Sequence, residues 1–206
     1  MSEIKAGATA AGRRRPARER LLATAARRFY ADGVTATGID TIIAEAGVAK
    51  TSLYNNFASK AELVIAYLNA RHEEWLAAYR HRLRTTTDPR EAVLAVFDTY
   101  ADSAEAARET GFRGCGLLNA AAELPAGDAG RNVVRRHKET VEELIVGHLE
   151  QLLPDKPEEA SALAEHLSFL LEGAMARAGL EGASRRLTHG RTLAAALMDG
   201  SANKLT

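Results

Sequence analysis

The sequence of 206 residues predicts an all-α protein of nine or ten helices, an N-terminal three-helix helix-turn-helix unit followed by a C-terminal helical bundle. Three observations predict it. Apolar residues recur at intervals of three and four from Leu22 to Leu197, the period of a helix with one buried face. No segment alternates with period two, and no Asn-Gly or Asp-Gly pair stands between β-branched runs, so hairpins have no signal. Gly and Pro punctuate the pattern at Gly33, Gly47, Gly111 to Gly116, Pro125 and Pro154, where successive helices have to stop.

Residues 1–15 are rich in Ala, Gly and Arg without apolar rhythm, and read as a mobile basic arm. Pro16 suits the first turn of a helix, and Leu22, Ala25, Ala26 and Phe29 then mark one face up to Asp32-Gly33. Ile39, Ile42, Ile43 and Ala46 form the inner face of a short second helix stopped at Gly47. Val48, Leu53 and Phe57 anchor a third. Ser59 followed by Glu62 has the capping-box spacing, and Leu63, Tyr67, Ala70, Trp75 and Tyr79 carry the next helix to about Leu83. Asp88 and Pro89 suit an N-cap and first turn, with Val93, Val96, Phe97 and Tyr100 facing inward. Leu117 to Leu124 reads as a short helix and Val133 to Leu152 as a long one. Leu163, Leu167, Leu170, Leu171 and Ala174 mark the next, and Leu193 and Leu197 the last, with a Gly-rich link expected at Gly179 to Ser184.

Composition limits the function. With 46% hydrophobic and 26% charged residues the chain is an ordinary globular one. No apolar run approaches the roughly 20 residues that span a bilayer, and the N-terminus lacks a signal-peptide stretch, so a cytoplasmic protein without membrane contact is expected. The single cysteine, Cys115, excludes an internal disulfide framework and a multi-thiolate zinc site. The zero net charge hides a split: residues 1–60 hold ten Lys/Arg against five Asp/Glu, and the remainder 17 against 22. A basic head on an acidic body suits a head that meets a polyanion, although Arg13, Arg14 and Arg15 alone supply three of the five excess charges.

The segment Thr37 to Leu63 shows what that head is built for. In a helix-turn-helix the second helix lies across the major groove, braced by the first. Ile42, Ile43 and Ala46 pack one helix, Gly47 makes the turn, and Val48 and Leu53 return the next helix to the same core. Lys50, Thr51, Ser52, Tyr54, Asn55 and Asn56 are left outward. Asn pairs with adenine, Ser and Thr bond either base edge, Lys serves guanine or phosphate, and Lys60 adds a phosphate contact. Spacing alone leaves open a plain three-helix core with a polar surface.

Residues 16 to 68 resemble the DNA-binding domain of the TetR family of bacterial repressors. The matching pieces are Phe29 and Gly33, Thr37, Ile42, Ala46-Gly47-Val48, Lys50, Leu53-Tyr54, Phe57, Ser59-Lys60 and Glu62-Leu63. The resemblance implies phosphate contacts from Thr37, Lys50, Tyr54 and Lys60 and base-edge contacts from Thr51, Ser52, Asn55 and Asn56. Thr41 and the arm residues Arg14 and Arg15 complete the expected DNA-binding set. Gly38 and Ala49 depart from the family's usual Ser or Thr caps, and Asn55-Asn56 from its usual Tyr-His, which bears on the operator sequence.

The same resemblance implies a division into the arm 1–15, the helix-turn-helix domain 16–60 and a ligand-binding and dimerisation domain 61–206. It implies a homodimer through the last two long helices, a double-stranded palindromic operator, and release by a small, largely apolar effector. No cofactor and no metal is expected. Cys115, Asn119 and Glu123 fall at i, i+4, i+8 and resemble a signature of one branch of the family, in which this helix lines the effector cavity. Trp75, Tyr79, Phe97, Tyr100 and Phe169 are candidate walls, with Asn119 and Glu172 as orienting polar groups. Cys115 divides between inert thiol, pocket lining and reactive sensor, so a thiol-responsive repressor is one alternative and a helical protein-interaction module another. Enzyme readings fail: His72-Glu73-Glu74 opens like a zinc-protease helix, but Leu76 stands where the second His belongs. His137, His148 and His166 read as surface or satisfied core residues.

Overall fold

The computed structural model describes residues 16–109 and 111–202; the expected basic arm, with Arg14 and Arg15, lies outside them. The described residues form nine helices and no strand: α1 (Ala17–Asp32), α2 (Ile39–Ala46), α3 (Lys50–Asn56), α4 (Lys60–Leu83), α5 (Pro89–Ala107), α6 (Gly116–Glu123), α7 (Ala129–Leu152), α8 (Pro157–Glu181) and α9 (Arg185–Ala202).

Local chemistry accounts for most of the boundaries. Gly47 ends α2 in the left-handed conformation at φ 60°, and its N–H returns to the Ala44 carbonyl. Ser59 caps α4 by accepting from the Glu62 N–H at 3.1 Å. The Glu62 carboxylate reaches one residue past the cap, to the Ala58 N–H at 2.7 Å, rather than to the cap itself. Asp88 caps α5 by accepting from the Arg90 N–H, with Pro89 in the first turn. The expected link at Gly179 to Ser184 is shorter in the structure, because α8 continues through Gly179 and ends at Gly182. Gly179 stays glycine for a tertiary reason: a Cβ there would lie 2.7 Å from the Gly114 Cα.

Two apolar cores result. One joins Leu21, Ala25, Phe29, Ile42 and Leu53 of the first three helices, with Phe57 just after α3, to Leu63, Tyr67 and Leu68 of α4, and continues into Leu117 of α6 and Val134 of α7. The other lies between α4, α5, α7, α8 and α9, around Trp75, Tyr79, Phe97, Ile145, Leu167 and Met198. Packing therefore runs without a gap across residue 60, and α4 belongs to both cores.

Candidate nucleic-acid interface and the helices behind it

The third helix has only seven residues, and Ala49 supplies no side-chain cap. So short a helix is not stable alone; it is held from behind by Leu53 and Phe57, which are fully buried. The turn before it is tied by the Arg20 guanidinium, which donates to the carbonyls of Ala46 at 3.1 Å and Gly47 at 2.9 Å. Arg18 lies over the Phe57 ring, 5.1 Å from its centroid. With its apolar side pinned, α3 leaves Lys50, Thr51, Tyr54 and Asn55 exposed and Ser52 half-buried, and Thr41 is exposed on α2. Tyr54 keeps 51% of its surface open, so both its ring and its hydroxyl are available on the outer face of α3. The Lys50 ammonium sits 3.2 Å from Asp40 in an exposed pair that a phosphate oxygen can replace.

Three expected contacts have to be revised. Thr37 is buried, and its hydroxyl donates to the Gly33 carbonyl at 2.6 Å, so it fastens the α1–α2 turn and its side chain does not reach phosphate. Asn56 donates one Nδ2 hydrogen to the Ser52 carbonyl at 2.7 Å, which leaves its amide oxygen and one N–H for a base edge. Lys60 donates one of its three N–H groups to the Thr35 carbonyl at 3.2 Å, which ties its ammonium to the α1–α2 turn and leaves two donors for phosphate. Within the head, Glu45 pairs with Arg28 at 2.6 Å and Arg27 at 2.9 Å. Those hydrogen bonds, Arg28's first, hold its carboxyl below the ordinary range.

The segment from Phe112 to Glu123 grips the head directly, which the sequence pattern did not suggest. The Arg113 guanidinium donates to the carbonyls of Tyr30, at 2.9 Å, and Ala31 at the end of α1. The Tyr30 hydroxyl donates to the Gly114 carbonyl and accepts from the Arg113 N–H. Glu123 accepts from the backbone N–H of Val34 at 3.1 Å and Thr35 at 2.7 Å. Burial works to raise the Glu123 carboxyl, but the Thr35 and Val34 N–H bonds and the Arg113 charge outweigh it and keep it below the usual range. Asn119 donates to the Arg113 carbonyl at 2.9 Å. Asn119 and Glu123 therefore both bond the segments that join α6 to the head.

Of the expected pocket walls, Trp75, Tyr79, Phe97 and Tyr100 come together as one buried group. Trp75 stacks on Tyr79 with ring centroids 5.4 Å apart and lies 5.2 Å from Tyr100, an attractive aromatic arrangement. The Trp75 indole N–H is buried without a partner. Phe169 is a correction: it is 65% exposed on the outer side of α8 and lines nothing inside the chain. Glu172 pairs with Lys138 at 2.6 Å. Cys115, half-buried at the start of α6, has Lys138 Nζ at 3.8 Å from its sulfur. Burial opposes the Lys138 charge, but Tyr100, Cys115 and Glu172 overcome it, and the ammonium is held above the usual lysine range.

Lys138 and His137 escaped the sequence reading of the site, because on an amphipathic helix they look like any surface pair. His137 is only 1% exposed. Burial, helped by Lys138 and His72, pushes its imidazolium down to about 3. The unfolded chain protonates this residue near the ordinary 6.5, so its contribution is intact above that pH and is lost as pH falls toward 3. We expect His137 to add a slope of about 1.4 kcal/mol of stability per pH unit in that window. Urea unfolding at several pH values checks it, and His137→Gln should remove that slope.

Residues 21–67, the span of the interface just described, match the family model of bacterial regulatory proteins of the tetR family. The chain is 39% identical over 103 residues to the HTH-type transcriptional activator FasR of Mycolicibacterium smegmatis, a match covering 48% of this chain and 47% of that protein. It is 35% identical over 79 residues to the regulator LmrA of Bacillus subtilis, covering 38% of this chain and 42% of LmrA. The matches thus span about half the length of these curated relatives. A solved TetR-family transcriptional regulator from Streptomyces coelicolor is 33% identical with a TM-score of 0.78, over 91% of this chain and 96% of that one. A second regulator structure, from Streptomyces avermitilis, is 30% identical with a TM-score of 0.68, over 86% of this chain and 97% of that one. A short recognition helix pinned by Leu53 and Phe57, on a nine-helix frame shared with a solved family member over nearly its whole length, places this chain in the TetR family of DNA-binding transcriptional regulators.

Proposed function

We propose that the protein is a homodimeric repressor that reads a palindromic operator through α3 and leaves it when a small molecule binds the body. The observation that carries the DNA-reading assignment is the outward face of α3, where Lys50, Thr51, Tyr54 and Asn55 stand exposed while Leu53 behind them is completely buried. In this reading Lys50, Tyr54 and Lys60 meet phosphates, and Thr51, Ser52, Asn55 and the free oxygen of Asn56 meet base edges. Thr41 and the arm residues Arg14 and Arg15 lie at the margins of the same footprint.

Dimerisation through α8 and α9 is supported by what those helices leave open: Phe169 and Leu180 on one, Leu193 and Leu197 on the other. Two heads related by a two-fold axis then meet half-sites about one helical turn apart, or a multiple of it. The effector is assigned to the aromatic group around Trp75 and Tyr100. Those rings fill their own space here, so the effector must part them, and it releases DNA only by favouring the parted state. No described helix is long and apolar enough to cross a membrane. The family consists of regulators rather than enzymes, and a site of action on cytoplasmic DNA fits it. FasR is named an activator, so the sign of regulation is the part of the proposal to test by reporter expression with and without the protein.

Selection of bound sequences from random DNA supplies the operator, and two variants then separate the roles. Tyr54→Ala should weaken binding to every sequence, whereas Asn55→Ala should cost about 1–3 kcal/mol on the preferred sequence and relax one position. Affinity should also fall steeply between low and moderate salt as phosphate contacts release counterions. Equal loss on all sequences for Asn55→Ala would remove it from base reading, and a flat salt response would replace DNA by a protein partner.

A further inference from the structure

A chain of hydrogen bonds crosses the body from α8 to α4. Glu172 on α8 pairs with the Lys138 ammonium of α7 at 2.6 Å, and Lys138 donates also to the Tyr100 hydroxyl of α5 at 3.5 Å. The Tyr100 hydroxyl lies 3.0 Å from His137 Nε2, and His137 Nδ1 lies 3.0 Å from Nδ1 of His72 on α4. Donor and acceptor roles follow in sequence. An ammonium only donates, so the Tyr100 oxygen accepts from Lys138 and directs its own proton to His137 Nε2. His137 is then neutral with its proton on Nδ1, donated to His72 Nδ1, and His72 carries its proton on Nε2. The chain ends near the middle of α4, the helix that enters the head's core through Leu63 and Tyr67. His72 is only half-buried and open to solvent protons, whereas His137 is sealed.

We propose that this chain makes the protein's hold on DNA proton-responsive, with His72 as the group that takes the proton. A proton on His72 Nδ1 meets the Nδ1–H of His137 across 3.0 Å, two donors with no acceptor between them. If His137 moved its proton to Nε2, it would meet the Tyr100 O–H, and that hydroxyl cannot turn to Lys138, which is a donor as well. The contact between the imidazoles therefore opens, and α4 loses a polar tie to α7. The remaining charged and titratable groups leave this logic intact. On α4, Arg71 pairs with Glu74, and Glu73 is exposed. From α7 comes Lys138, neutralised by Glu172 of α8, and from the start of α6 comes Cys115, next to Lys138. Among the described residues no carboxylate bonds either imidazole. The head cannot supply a competing response, because residues 1–60 contain no histidine.

The inference rests on reading the ligand-free protein as the DNA-binding form, and the test separates the two. The full-length protein with 15N-labelled histidines is titrated from about pH 8 to about pH 6. At the upper pH the ring nitrogen shifts should report Nδ1–H for His137 and Nε2–H for His72, and both rings should shift in one step as His72 takes its proton. Affinity for the selected DNA, at fixed salt, should fall by about fourfold to tenfold over the same range, and His72→Gln should abolish that fall. Absence of DNA binding at the upper pH overturns the repressor reading and this proposal with it. Reversed tautomers, His72 titrating without disturbing His137, or unchanged affinity overturn the proton response alone. Ring signals that change on adding EDTA would put a metal ion between the two Nδ1 atoms and overturn it as well.

Discussion

Leu53→Ala should destabilise the head by about 3 kcal/mol and abolish specific DNA binding, while the body stays folded. Leu53 is fully buried on a seven-residue helix that has no side-chain cap, so α3 is held in place by Leu53 and Phe57 rather than by its own helical stability. Truncating a buried leucine typically costs 2–5 kcal/mol, of the order of half the stability of a small domain. The second core, around Trp75 and Leu167, contains neither Leu53 nor Phe57 and should persist. Tryptophan fluorescence reports that core alone, since Trp75 is the single tryptophan of the sequence. Urea unfolding followed by Trp75 fluorescence and by circular dichroism should therefore diverge in the variant. Leu53→Met, which nearly preserves volume, should cost less than about 1.5 kcal/mol and retain binding. Specific binding by Leu53→Ala at the parent affinity would show that α3 does not read the DNA.

The second large effect is expected at the opposite end of the molecule. Phe169→Asp together with Leu180→Asp should convert the proposed dimer to monomers and lower operator affinity at least about 100-fold, because the two half-sites would no longer be bound as one unit. Phe169 is 65% exposed and Leu180 85%, eleven residues apart on α8, with exposed Gly173 and Ala176 between them. These four fall on one helical face. On the neighbouring α9, Leu193 and Leu197 are 41% and 44% exposed, one turn apart. Burying each such side chain is worth about 1.5–3 kcal/mol, and two-fold symmetry counts every one twice. A charge placed there has to be desolvated on both sides of the axis. Sedimentation of the variant gives the answer, and since both side chains are already in solvent in the single chain, its fold should survive. A variant that remains dimeric would move the interface elsewhere.

The residues that defeated the sequence reading did so in two ways. Thr37 and Asn119 bond nearby carbonyls, those of Gly33 four residues back and Arg113 six residues back, whereas what Glu123 and Phe169 touch is set by a segment distant in the chain or by none. Glu123 faces outward from a short helix as a solvated carboxylate does, and its partners are backbone N–H groups 88 and 89 residues earlier. Phe169 lies among apolar residues of α8, yet the core takes Leu167 and Leu171 beside it and turns Phe169 outward. Lys138 and His137 gave no signal, because their importance comes from Tyr100 and Glu172 on two other helices.

What the sequence determined by itself is local. Helix periods, the Gly47 turn, the Ser59 and Asp88 caps and the polar outward face of α3 depend on neighbours within about four residues, and the chemistry of those neighbours is enough to specify them. The spacing from Phe29 to Leu63 likewise carries the family's DNA-reading head, because that head is a small set of local elements packed on one core. The tertiary structure alone decided which side chains are free to act. Glu123 and Arg113 are committed to holding the head, Phe169 is turned outward, and a lysine, a tyrosine and two histidines are drawn into one chain. Each outcome depends on contacts between residues far apart in sequence, where a one-dimensional pattern carries no distance.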